Sequence, residues 1–264
     1  MNPGLRASAS GMRAQQTRID AIANNLANVN TTSFKRSRTN FEDMLYETLQ
    51  GAQLVRYEGT ETLAPIQIGR GVRLADVQRV HTQGSFEVTN NPFDFAIEGE
   101  GFFQIQMPNG STAYTRDGTF TRAADTGALV THAGYMIQPE ITVPPEAVQI
   151  TVSITGQVSA VLGNTGETVD LGQLELARFA NPSGLLSLGG NNYQATAASG
   201  DPMTGMPQED GFGAVVQGSL EASNVEIVQE MVDMIAAQRA YEVNSKAIKT
   251  AEEMIQTVTN ELIR

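Results

Sequence analysis

The sequence contains no cysteine and no tryptophan, and only 6% of its residues are aromatic. Without cysteine there is no disulfide framework and no thiolate metal site, so stability does not depend on oxidation. Long apolar runs are missing too. No stretch approaches 18 consecutive apolar residues, and no membrane span is expected. The first residues, MNPGLRASASGMR, lack the apolar run of a cleaved secretory signal. Basic residues are few, 17 Lys and Arg against 29 Asp and Glu, for a formal net charge of −12. The deficit is concentrated in the middle. Residues 1–85 carry ten basic and seven acidic side chains, residues 86–212 three and fourteen, and residues 213–264 four and eight. Nucleic acid, which is bound by basic patches, is therefore not an expected partner. The acidic middle serves as a solubility surface, while near-neutral ends let many copies pack without strong repulsion.

Residues suited to catalysis are also sparse. The two histidines, His81 and His132, stand far apart without a local carboxylate cluster, and there is no H-E-x-x-H. GLLSLGG (184–190) has the spacing G-x-x-S-x-G, which is not a nucleophile elbow. GEGFF and GRGVRL each lack the third glycine of a dinucleotide fingerprint. Asp117-Gly118 and Asp125-Thr126-Gly127 are turn signals, with too few alternating carboxylates for a Ca²⁺ loop. No enzymatic activity, cofactor or metal is expected.

What the sequence does have is a seven-residue apolar repeat at each end. Leu5, Met12, Ile19 and Leu26 are spaced by seven, with Ile22 and Val29 at the intermediate position. Asn2-Pro3 fits a helix start, and the helix is expected to end near Val29 to Asn30. At the other end Ile227, Met234, Tyr241, Ile248, Ile255 and Leu262 form one row, and Ala237, Ala251 and Val258 a second. Ser223-Asn-Val-Glu226 has the form of a capping box, which predicts a helix from about Asn224. At 1.5 Å per residue it would be about 57 Å long. A heptad seam wants a partner helix, and the simplest partner for each end is the other end. The same pattern equally suits copies packing side by side.

Between the ends, short β-like runs alternate with turns. FDFAIEG (93–99), GFFQIQM (101–107), VQITVSITG (148–156), QVSAVLG (157–163) and QLELARF (173–179) read as strands. The expected fold class is α+β: paired N- and C-terminal coiled-coil helices with an inserted, mostly antiparallel β-domain and extended connectors. The expected divisions are 1–34 with 223–264 for the helices, 35–91 with 196–222 for the connectors, and 92–195 for the β-domain.

SASGMRAQQTRIDAIANNLANVNTTSFKR (8–36) closely resembles the N-terminal signature of the bacterial flagellar rod and hook family, and residues 218–255 resemble its C-terminal signature. AIEGEGFFQIQMPNG (96–110), YTRDGTFTR (114–122) and GQLELARFANPSGL (172–185) resemble the distal rod members. So does 46–73, which is similar to a rod-specific insertion that hooks typically lack. The resemblance implies a subunit of a rigid helical tube that carries motor torque to the hook and forms part of the export channel. The implied partners are further copies of the chain, proximal rod subunits and hook protein along the axis, the P- and L-ring bushing, and the flagellar export apparatus. The implied location is the basal body, in a rod crossing the periplasm, reached without a cleaved signal. Within this frame Asn24 and Asn28, one helical turn apart, are candidates for an intersubunit face; a solvated helix end with local capping is the alternative. Tyr46, Leu49, Leu54, Tyr57, Leu63 and Ile66 are the candidate anchors of the insertion. The chain departs from the family at Ser33, where N-T-x-G-F-K often has glycine. Either the turn needs no positive φ, or the chain bends differently there. The rival readings are another axial subunit, a peptidoglycan-binding β-domain carried on a coiled coil, and an adaptor.

Overall fold

The computed structural model describes residues 3–50, 66–163 and 166–262. The chain divides into two compact units. The first contains Met1–Ala27, Ser37–Arg79 and Glu226–Arg264; the second contains Asn28–Arg36 and Val80–Val225. The class is α+β, with one long helix near each end of the chain and antiparallel strands between them.

In the first unit, helix α1 (Pro3–Ala27) packs against helix α2 (Ile227–Leu262). Pro3 opens α1, as its fixed φ and missing N–H favour. α1 ends at Ala27, and a turn follows in which Thr31 N–H donates to the Asn28 carbonyl. α2 begins at Ile227, three residues later than expected. The cause is visible in the polar side chains before it. The Ser223 hydroxyl accepts from Val225 N–H, forming a local turn in place of a reciprocal box. Asn224 uses its side chain elsewhere.

α1 also lies on a two-stranded antiparallel ladder, Ser37–Asp43 with Val72–Arg79. Tyr46–Gln50 pairs with Ile66–Gly69 in a second ladder. The first ladder is held to the helix at Ser10, whose hydroxyl donates to the Ala7 carbonyl and accepts from Val72 N–H. Gly71 sits at φ +112°, and a Cβ there would collide with the Ser10 hydroxyl. Among the described residues no helix is long and apolar enough to cross a membrane.

The second unit is built on a nine-stranded antiparallel sheet. Its central strand, Phe102–Gln106, is bordered by Thr112–Thr115, Met136–Gln138 and Leu176–Arg178. Successive strand side chains point to opposite faces, so a strand buried on both sides reads as a continuous apolar run. Phe102 to Ile105 are all buried, with Gln104 as the one polar member of the run. Phe103 faces a core containing Phe95, Ile97, Phe120, Leu129, Ile137 and Leu176, and Ile105 is fully buried. Phe102 faces a second cluster with Tyr114, Phe179 and Tyr193, whose rings meet edge to face. A three-stranded sheet, Ala147–Val152, Gln157–Leu162 and Thr168–Gln173, supplies further core residues. QLELARF is not one strand. It breaks after Gln173, where Leu174 N–H turns to the Gly156 carbonyl, and resumes at Leu176. Gly118 shows why Asp-Gly stands before Thr119-Phe120: a Cβ at that position would overlap the Phe95 carbonyl oxygen.

Candidate functional site

Two buried polar junctions stand out. The first, in the second unit, gathers Ser33, Lys35, Arg116 and Glu221, all of which are buried. Lys35 Nζ donates to Glu221 Oε1 at 2.6 Å and to the Thr82 carbonyl at 2.8 Å. Glu221 Oε1 also accepts from Gly84 N–H, and Arg116 donates to Glu221 Oε2 at 3.4 Å. The Arg116 guanidinium is completed by the carbonyls of Gly99 and Gly101. Two cations thus share one carboxylate away from water. Burial pushes the Lys35 ammonium below the usual lysine range. Glu221 pulls it back up, and Arg116 lowers it again. Such a cluster adds little net stability relative to apolar packing, but losing one member leaves a buried charge uncompensated.

Ser33 closes this junction. It stands at φ +56°, donates its hydroxyl to the Arg116 carbonyl at 2.7 Å, and donates its N–H to the Glu221 carbonyl at 2.7 Å. The turn therefore does take the positive φ that glycine tolerates best, and the serine adopts it while adding a hydrogen bond. Asn224 pins the neighbouring segment. Its Oδ1 accepts from Arg36 N–H, and its Nδ2 donates to the carbonyls of Val80 and Thr82.

The second junction lies in the first unit. Asn25 is buried on α1 and exchanges two hydrogen bonds with the backbone of Ser37: Nδ2 donates to its carbonyl and Oδ1 accepts its N–H. The same Nδ2 donates to Glu230 Oε2 of α2 at 3.1 Å. One amide thereby links helix, ladder and second helix. Nearby, Arg18 pairs with Asp233 at 2.9 Å. Farther along the helix pair, Gly11 lies against Asn244, whose Nδ2 is 3.0 Å from the place a Cβ would occupy.

The residues singled out by periodicity are placed as follows. Ile22 is buried, and Leu5, Met12, Ile19, Leu26, Val29, Met234 and Ile248 are half-buried. Ile227, Tyr241 and Ile255 are exposed in the single chain, and the Leu262 side chain lies outside the described residues. In the second row Ala237 is buried and Ala251 half-buried. Glu230 and Asn244 share that row's seven-residue register. Sequence reasoning passed over them because it tracked apolar positions alone. Asn24 is exposed and Asn28 half-buried, its Oδ1 accepting from the Thr31 hydroxyl. Tyr46 and Ile66 are exposed, the Leu49 side chain lies outside the described residues, and so do Leu54, Tyr57 and Leu63 altogether. The four asparagines 24, 25, 28 and 30 look alike in sequence; only burial distinguishes Asn25. Among the described residues no group of three His, Cys, Asp or Glu side chains could hold a metal ion.

The comparisons with known proteins attach to these same segments. Residues 5–35 match the family described as "Flagella basal body rod protein", 96–160 the "Flagellar hook protein FlgE/F/G D1 domain", and 216–262 the "Flagellar basal body rod FlgEFG protein C-terminal". The flagellar basal-body rod protein FlgG of Agrobacterium fabrum is 47% identical over 260 residues, covering 98% of each chain. That of Borreliella burgdorferi is 47% identical over 262 residues, also 98% of each. The chain belongs to the FlgG family of flagellar basal-body rod proteins. A rod protein of the FlgF type, from Caulobacter vibrioides, is more distant: 33% identical over 266 residues, with 99% of this chain and 98% of that one covered. The family is structural, not enzymatic. Each of the three matched segments contributes to the first junction: Ser33 and Lys35 from the N-terminal one, Arg116 from the middle one and Glu221 from the C-terminal one. The junction is where the family's three sequence signatures meet.

Proposed function

We propose that this chain, a structural subunit of the flagellar distal rod, polymerises through its terminal helices into a rigid helical tube that transmits motor torque to the hook and encloses part of the export channel. The observation that carries the reading is the uncovered face of α2. Val228, Met231, Val232, Ile235 and Val243 are each more than half exposed. Their spacing puts Val228, Val232 and Ile235 on one helical stripe. Apolar side chains in that arrangement mark an interaction surface. α1 and α2 bury small and polar side chains against each other, including Ala237 and Asn25. A left-handed coiled coil of the two helices, with other copies on their outer faces, uses both sets of residues. Asn24 belongs to such an outer face, whereas Asn28 lies past the end of α1, in the local turn with Thr31.

The finer reading extends along the rod. Proximal rod subunits and the hook protein adjoin the polymer axially, the P- and L-rings surround it, and the export apparatus delivers its subunits to a rod crossing the periplasm. The outer region is the acidic 92–195 stretch, and 46–73 stiffens the polymer by filling gaps between copies. Exposed Leu45, Tyr46, Ile66 and Ile68 supply apolar surface for that role.

Electron microscopy of basal bodies from a strain lacking this gene tests the reading. Inner rings with a short rod stub, and no outer shaft or hook, is the expected outcome. A complete rod with only the hook missing would move the protein to the hook side. Intact basal bodies would reject a rod role.

A further inference from the structure

We propose that a cavity beside Asp117 and Asn192 binds an organic cation, a primary ammonium or a guanidinium group. The cavity lies within the second unit and measures about 270 Å³. Its walls include Thr115, Asp117, Thr131, His132, Gly190 and Asn192. That size suits a head group and not a whole drug-sized molecule.

Asn192 is the first observation. It is only 8% exposed and lines the cavity. The Nδ2 lies 3.5 Å from the place a Cβ on Gly190 would occupy, and Gly190 is itself part of the cavity wall. As a wall residue its amide offers both a donor and an acceptor to a group that enters.

Asp117 is the second. Its Oδ1 accepts both the N–H and the hydroxyl of Thr119, at 3.1 and 2.9 Å, which leaves Oδ2 uncommitted. Among the described residues no lysine or arginine forms an ion pair with it; the adjacent Arg116 is spent on Gly99, Gly101 and Glu221. The titratable groups that Asp117 does feel are Asp94, which opposes its charge, and His132, which favours it. Burial is the larger influence and holds the carboxyl above the usual aspartate range. A carboxylate in this setting gains from a cation beside it.

The third is the donor and acceptor balance. Asp117 Oδ2 and the Asn192 amide oxygen are acceptors. So is the Thr131 hydroxyl, which takes one N–H, from Tyr135, and has a second lone pair. An ammonium offers three donors and no acceptor, and a guanidinium offers five. An anion would oppose Asp117, and a neutral polyol would leave its charge uncompensated. The cation comes either from a free amine or from a lysine or arginine side chain of a second copy.

The test records two-dimensional ¹H–¹⁵N spectra of the full-length chain during titration with n-butylammonium chloride. Saturable shifts of the Asn192 side-chain amide and of the Asp117–Thr119 backbone amides are expected in the millimolar range. Tetramethylammonium has the same charge but no N–H, and should bind about tenfold more weakly. Asp117→Asn keeps an acceptor for Thr119 and should weaken binding about tenfold; Asn192→Leu, which fills the cavity, should abolish it. Thermal unfolding checks that both variants fold. No saturable shift up to about 100 mM, equal binding of tetramethylammonium, or undiminished binding by either folded variant would overturn the proposal. Carbodiimide coupling of Asp117 to a labelled butylamine separates the sources. Labelling of the free chain but not of assembled rods assigns the cation to a second copy; labelling of both assigns it to a free amine.

Discussion

Ser33 shows how one residue can hold a conformation that its side chain disfavours. A left-handed backbone costs an L-residue roughly 1–2 kcal/mol. Here the hydroxyl bond to Arg116 and the N–H bond to Glu221 offset that cost. Ser33→Gly relieves the backbone and loses the hydroxyl bond, so its stability should stay within about 1 kcal/mol of the parent. Ser33→Ala keeps the unfavourable φ and loses the bond, and should be destabilised by about 1–2 kcal/mol. Urea unfolding of the two variants decides; an alanine variant as stable as the glycine one would contradict this account. Asp117 gives a pH-dependent case. Burial raises its folded-state pKa, so the folded chain holds the proton up to a higher pH than the unfolded chain does. Between the two values the folded state binds more protons, and stability falls as pH rises through that window. The penalty is complete above the folded value and absent below the unfolded one. Asp117→Asn should therefore gain up to about 1 kcal/mol near neutral pH and gain nothing in acid. Melting temperatures across the range would show the difference between the curves shrinking as pH falls. An identical offset at every pH would contradict it.

At the scale of elements, Asn25 joins the end of α1 to two other elements. It stands in for a strand residue, exchanging both backbone hydrogen bonds of Ser37 while also reaching Glu230 on α2. Asn25→Ala takes a partner from the buried Glu230 and from both backbone groups of the half-buried Ser37 and should cost about 2–4 kcal/mol, whereas Asn24→Ala on the exposed side should change stability by less than about 0.5 kcal/mol. Equal effects in chemical denaturation would show that the link is dispensable. The ladder Tyr46–Gln50 with Ile66–Gly69 presents apolar side chains to solvent. Deleting about Gln50 to Ala64 should give a curved or more flexible polymer. A straight, stiff rod in electron micrographs of that strain would remove 46–73 from the account of rigidity.

For the whole molecule the question is what the single chain leaves uncovered. Most exposed apolar side chains of α2 are useless to an isolated subunit and suited to a polymer. Val232→Glu with Ile235→Glu should abolish motility and rod assembly while leaving the helical circular dichroism of the chain unchanged, because neither residue is buried. Assembly of normal rods by this variant, seen in isolated basal bodies, would mean that the stripe is not an interface. The acidic excess of residues 86–212 falls within the second unit, and α1 and α2 belong to the first.

The sequence by itself determined the two terminal helices, some strands of the middle and the family. These follow from periodicity and turn chemistry, which are local and repeat along the chain. It also marked Ser33 as the position where this chain departs from glycine. Only the tertiary structure decided that the turn takes a positive φ regardless, that Asn25 and not its neighbours is buried, and that Lys35, Arg116 and Glu221 meet. Those three residues lie 81 and 105 positions apart along the chain, so no local pattern links them. Their hydrogen bonds exist only once the sheet has brought the segments together. The start of α2 was misplaced for the same reason: the Asn224 side chain serves Arg36, Val80 and Thr82, distant partners that a capping rule does not see.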